Sequence, residues 1–234
     1  MRSRYLRVMP ETMVEVLHDA VAVLRQGGVV AYPTDTVYGL AVDAMAVEAI
    51  VRLYDVKGRS DAKALPLIIG DVGQLTEVAA SVPPQAEKLI AAFWPGPLTL
   101  LFEPQEGLPV QLRGESSRIG VRWPAAILSQ QLAKAFGHAI TATSANRSGA
   151  PAALTAEEVA RQLGASVDLI IDGGRAESAE VSTVLDVVAV PPCIQRPGKI
   201  SSQAIETVLR ASGLPGPACQ TKRQDDGIEL SLCD

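Results

Sequence analysis

A chain of 234 residues with 47% hydrophobic and 20% charged residues can bury a sizeable core, which excludes a disordered or fibrous protein. Its net charge of -5 excludes broad, charge-driven adhesion to nucleic acid, while leaving room for a local basic patch. The longest uncharged stretch, residues 89–102, carries Pro95-Gly96-Pro97 and falls short of the about 20 apolar residues that a membrane-spanning helix needs.

The opening residues, MRSRYLRVMPETMVEV, hold basic side chains but no apolar segment of a secretory signal. Residues 11–26 then place Val14, Leu17, Val21 and Leu24 on one helical stripe, stopped by Gly27-Gly28. VVAY (29–32) reads as a short buried strand, 46–56 as a helix and LPLII (65–69) as a strand. Asp71 caps a predicted helix over 72–80, and Pro83-Pro84 opens another that runs to Phe93. LTLLF (98–102), RIGVR (118–122) and AITAT (139–143) are predicted strands, with a helix over 125–136 before the last. Thr155 and Glu158 form a capping-box pattern for a helix to 163. Residues 167–171, 181–190 and 193–196 read as extended, and Ser201 or Ser202 starts a final helix to 211. Strands and helices mixed along one continuous chain imply an α/β or α+β domain over 1–211. Residues 212–234, rich in Gly, Pro and charge, read as a flexible C-terminal tail.

Cys193, Cys219 and Cys233 have no CxxC spacing and suit neither a zinc site nor a disulfide framework, so a reducing, cytoplasmic setting is expected. Two histidines, His18 and His138, leave few candidates for histidine-based catalysis.

Five polar segments stand out against the apolar pattern. Tyr32-Pro33-Thr34-Asp35-Thr36 follows a buried strand, either as a plain turn or as a pocket wall. Lys57-Gly58-Arg59, with Lys63 beyond, lies at a helix C-terminus, where cations complement the dipole or clamp a phosphate. Arg118 and Arg122 share one strand face, either solvated or around a shared anion. Thr141 to Gly149 is a polar loop whose small side chains also leave backbone N–H groups open to an anion. Ser182-Thr183 and Gln195-Arg196-Pro197-Gly198 complete the set. No Ser-His-Asp order, zinc ligand set, Walker loop or GxGxxG turn accompanies them. Such residues orient and neutralise a substrate without offering a protein nucleophile.

YPTDTVYGL, KGR, WPGPLTL, GVRWP, TSANRSG, STVLD and RPGKIS, in this order from about residue 11 to 212, closely resemble the YrdC/Sua5 family in its short, single-domain form. The resemblance implies an α/β fold with an open, twisted mixed sheet, flanking helices and a concave ligand-binding surface. It implies threonylcarbamoyl-AMP synthesis from L-threonine, bicarbonate or CO2, and ATP with Mg2+, releasing pyrophosphate. The product would pass to proteins that transfer the threonylcarbamoyl group to adenosine 37 of ANN-decoding tRNAs, with at most weak direct tRNA contact and no membrane partner. By motif, Thr36, Tyr32, Thr34, Arg122, Ser182, Ala142 and Thr143 would bind threonine. Lys57 and Arg59 would be catalytic and, with Lys63, Arg118, Ser144, Asn146 and Arg196, would bind ATP. Three positions depart from the family pattern: Lys63 replaces a common Asn, Ile68 a His of some relatives, and Ala152 a frequent Ser. The alternatives are an RNA- or ribosome-binding module of the same fold, or a carbamoyl-transfer module.

Overall fold

Residues 3–58, 63–114, 116–176, 180–220 and 230–232 are described by a computed structural model. In chain order they form β1 (Arg4–Arg7), α1 (Met13–Arg25), β2 (Val30–Tyr32), β3 (Gly39–Ala41), α2 (Val47–Lys57) and β4 (Leu67–Ile68). The chain continues through α3 (Leu75–Val78), α4 (Pro84–Phe93), β5 (Leu98–Phe102), β6 (Ile119–Arg122), α5 (Ile127–Phe136), β7 (Ile140–Thr141) and β8 (Thr143–Ser144). It closes with α6 (Ala156–Leu163), β9 (Leu169–Asp172), β10 (Thr183–Asp186), β11 (Cys193–Arg196), α7 (Ser202–Ala211), β12 (Ala218–Gln220) and β13 (Leu230–Leu232).

Helix boundaries follow the local chemistry of the sequence. The Ser201 hydroxyl accepts from the Ala204 N–H at 3.2 Å and starts α7. Thr155 accepts from the Glu158 N–H at 3.2 Å, but the Glu158 carboxylate reaches the Leu154 N–H instead of closing a reciprocal box. Asp71 accepts from the Gly73 N–H at 2.9 Å, and the first turn it caps is 3-10, so the predicted single helix over 72–80 is a 3-10 turn followed by the short α3. Gly58 ends α2 in the left-handed region (φ 59°), which a residue with a Cβ adopts only at a cost.

The mixed α/β architecture is carried by two sheets. One has the order β1-β9-β2-β3-β8, the other β13-β12-β11-β10-β5-β6-β4-β7. The sequence pattern AITAT predicts one strand, yet Thr141 pairs with Leu67 in the larger sheet and Thr143 pairs with Leu40 in the smaller. Ala142, between them, is where the chain passes from one sheet to the other. β1 and β3 escaped the sequence reading. β1 is a mostly exposed edge strand with little apolar periodicity, and β3 is only three residues long. Residues 218–220 and 230–232, placed in an irregular tail by composition, form strands that continue the larger sheet beyond β11. The open backbone edge of β11 supplies the partners that composition does not reveal.

Two apolar clusters hold the sheets. Val16, Leu17 and Leu24 of α1 meet Leu132 and Phe136 of α5 over Ile68, Ile140 and Leu169. Leu40, Leu67, Leu100, Val121 and Leu185 belong to a second, larger cluster. Burying each such side chain contributes about 1.5–3 kcal/mol.

Candidate active site

Strand alternation builds the site. On β5 and β6 and at the start of β10, Leu98, Leu100, Phe102, Ile119, Val121 and Leu185 lie in the core, while the intervening residues face a cavity. Thr99 and Leu101, then Arg118, Gly120 and Arg122, then Ser182 and Val184 line that cavity. Its volume is about 420 Å³, within the range of about 300–1,000 Å³ usual for small-molecule sites. Thr36 and Val37 close it from the turn after β2, Ala142 to Ser144 from the crossover between sheets, and Gln195 with Arg196 from β11.

Three arginines line the cavity and, among the described residues, no carboxylate does. Arg122 is buried and its guanidinium is held three ways. Nε donates to the Gly96 carbonyl at 3.0 Å, Nη1 to the Thr36 hydroxyl at 3.2 Å, and Nη2 to the Asp35 carboxylate. Asp35 is itself buried, and its second oxygen has no hydrogen-bond partner among the described residues. Arg118 lies 3.6 Å from Asp186 and 3.7 Å from Glu103. Arg196 forms no ion pair among the described residues; its Nη2 donates to the Ser182 carbonyl at 2.7 Å and hydroxyl at 3.1 Å. The surrounding protein strips water from this guanidinium and the Arg122 charge repels it, which together lower its pKa. The turn that carries Arg196 back against Ser182 depends on Gly198. A Cβ there would sit 2.4 Å from the Val181 carbonyl and 2.6 Å from the Ser182 and Thr183 backbone.

Of the residues selected from sequence, Thr36, Arg118, Arg122, Ala142, Thr143, Ser144, Ser182 and Arg196 converge on this cavity. The i, i+4 spacing of Arg118, just before β6, and Arg122, its last residue, does put both on the cavity wall. Tyr32 and Thr34 stand behind that wall. The Tyr32 hydroxyl donates to the Thr141 carbonyl at 3.2 Å, and burial pushes its pKa well above the usual phenol range. Thr34 donates to the Val37 carbonyl at 2.7 Å and accepts from the Thr36 N–H at 3.1 Å, shaping the turn that presents Thr36.

Lys57, expected at the phosphates, is buried under the polar loop instead. Its ammonium donates to the Ser144 carbonyl, to the Asn146 carbonyl at 3.0 Å and to Asn146 Oδ1 at 3.4 Å. Asn146 is likewise spent within the loop, accepting from the Ser144 hydroxyl at 2.5 Å and donating to the Arg147 and Ala150 carbonyls. Both therefore hold the loop rather than line the cavity. Lys63 is exposed and is absent from the lining, although its neighbour Ala64 is part of it. Arg59 lies outside the described residues. Ile68 points into the α1–α5 core, while Leu67 faces the cavity. Thr99 and Ser116 were not selected, and Asp35 and Gln195 were singled out only as members of polar segments, without a role of their own. A signal for Thr99 existed: it is the one polar residue in LTLLF.

The fold and site together define an α/β protein with a pocket lined by hydroxyls and arginines. A family model described as "Telomere recombination" (Sua5, YciO and YrdC) matches residues 22–198, and the chain belongs to that family. The threonylcarbamoyl-AMP synthases of Pyrococcus abyssi and Bacillus subtilis are each 37% identical to it, over 81% of this chain. The chain spans just over half the length of those two relatives, 56% and 55%. It covers 90% of the Nitrosococcus oceani synthase at 38% identity. The crystal structure of P. abyssi Sua5 complexed with L-threonine superposes with a TM-score of 0.83 at 35% identity, over 88% of this chain and 60% of that one. E. coli YciO superposes with a TM-score of 0.78 at 27% identity, over 87% of this chain and 99% of YciO.

Proposed function

We propose that the chain is a threonylcarbamoyl-AMP synthase, acting in the cytoplasm on L-threonine, bicarbonate or CO2, and ATP. The carrying observation is the cavity whose charged lining, among the described residues, is arginine, next to hydroxyls and with no cysteine or histidine. A site of this kind lowers a barrier by positioning reactants and neutralising charge. The threonine amine first adds to CO2 to give a carbamate. A carbamate oxygen then attacks the α-phosphorus of ATP, the bond to the β,γ-diphosphate breaks, and pyrophosphate leaves.

Each step has residues suited to it. Arg122, fixed by Gly96, Thr36 and Asp35, still has unused N–H bonds for the amino-acid carboxylate, with Ser182 across the cavity. Arg196 and Arg118 supply positive charge for the phosphates, Arg196 the more strongly because no carboxylate offsets it among the described residues. Lys57 would support this chemistry through the Ser144–Asn146 loop, and Arg59 and Lys63 would complete the phosphate side. Mg2+ would enter bound to the ATP phosphates. Among the described residues no carboxylate lines the cavity and no group of three metal-ligating side chains exists, so no step is assigned to an ion held by this chain.

The product feeds transfer of the threonylcarbamoyl group to adenosine 37 of ANN-decoding tRNAs by other proteins. Incubation with ATP, Mg2+, L-threonine and labelled bicarbonate tests the reading. It predicts a labelled, threonine-containing adenylate. Label that fails to join AMP, or joins it without threonine, rejects it.

A further inference from the structure

Thr99 contributes a hydroxyl to the cavity wall for which the reaction above has no use. The residue is 4% exposed, and its Oγ1 lies 2.9 Å from the Ser182 hydroxyl. Among the described residues that is its only hydrogen bond. Ser182 Oγ also receives a hydrogen bond from Arg196 Nη2 at 3.1 Å. A guanidinium has donors and no acceptor, so the direction of this bond is fixed and Ser182 accepts. A serine hydroxyl has two acceptor sites and one proton. With one acceptor site taken by Arg196, the proton either goes to Thr99 or points into the cavity while Thr99 donates in return.

We propose that Thr99 is a positioning residue that sets the direction of the Ser182 hydroxyl, releasing its proton to an anionic ligand, the amino-acid carboxylate. The inference rests on the synthase reading for the identity of that ligand. In the empty cavity Ser182 donates to Thr99. When a carboxylate arrives, the charge-assisted bond is the stronger one, so the Ser182 proton turns to it. Thr99 rotates and donates its own proton to the freed acceptor site of Ser182. The chain Thr99→Ser182→carboxylate leaves none of the three groups unpaired and polarises the central bond. A valine at 99 keeps the shape and removes both donor and acceptor.

Steady-state kinetics of Thr99→Val and Thr99→Ser test this. Loss of one such bond predicts a roughly three- to tenfold higher KM for L-threonine in T99V. The KM for ATP stays within about twofold, and T99S restores the threonine KM. In a Ser182→Ala background, T99V adds nothing further, because the two act through one contact. A threonine KM that is unchanged in T99V, or that T99S fails to restore, overturns the inference, as does a full T99V effect on top of S182A. If T99V does not fold, Thr99→Ala carries the same comparison. If the wild-type protein uses no threonine, the synthase reading fails separately. Inorganic pyrophosphate is then the anionic probe: a three- to tenfold weaker Kd in T99V upholds the role of Thr99 and an equal Kd rejects it.

Discussion

Arg122 illustrates how one side chain joins stability to function. It is buried against Asp35, and removing either partner leaves an uncompensated charge that costs about 3–5 kcal/mol. Arg122→Ala therefore lowers both the melting temperature and threonine-dependent turnover. Arg122→Lys separates the two effects. It keeps a charge for Asp35 but cannot reach Gly96 and Thr36 at the same time, so activity falls at least tenfold while much of the stability remains. Thermal melts and steady-state rates of the two variants check this, and equal turnover in wild type and R122K would remove Arg122 from the binding site. Arg196 gives the contrasting outcome. Its guanidinium is partly desolvated against Ser182, but the residue as a whole is exposed and its loss leaves no buried carboxylate unpaired, so Arg196→Ala changes the melting temperature far less than Arg122→Ala. The loss of charge-assisted contacts worth about 1.5–3 kcal/mol raises the KM for ATP roughly tenfold or more.

At the scale of elements, the helices and the apolar strands were legible because their periods of 3.6 and 2 are written in the apolar residues. The face that β6 presents was legible too, from Arg118 and Arg122. What the sequence hid was set by distant partners. Whether residues 139–143 lie in one sheet or two depends on pairing with Leu40 and Leu67, which are far away in sequence. Lys57 looked like a phosphate ligand because its neighbours are cationic, and only the packing of the 144–146 loop over α2 assigns its ammonium to carbonyls. Gly198 belongs to this scale as well. Gly198→Ala drives a Cβ into the backbone of 181–183 and displaces the turn that seats Arg196 on Ser182. Destabilisation by about 1–3 kcal/mol with loss of activity is the expected result of a melt and an assay of that variant.

Across the whole molecule, the smaller sheet is tied to α2 by Asp168 on the approach to β9. Burial works against its charge, but the hydrogen bonds from Arg52 Nη2 at 2.9 Å and the Val29 N–H at 2.7 Å hold its pKa below the ordinary value. A folded-state pKa below the unfolded one stabilises the protein above the ordinary aspartate range and loses that contribution as pH falls through the folded value. The pair is partly exposed, so the contribution is modest. Asp168→Asn lowers the melting temperature by about 1–3 °C at pH 7, and the difference narrows below about pH 3.9.

The central claim is that the arginine-lined cavity joins threonine and CO2 to AMP, and pyrophosphate release reads it most directly. With ATP and Mg2+ present, release should require L-threonine and bicarbonate together and fall to background when either is omitted. Release that proceeds equally without threonine would contradict the claim.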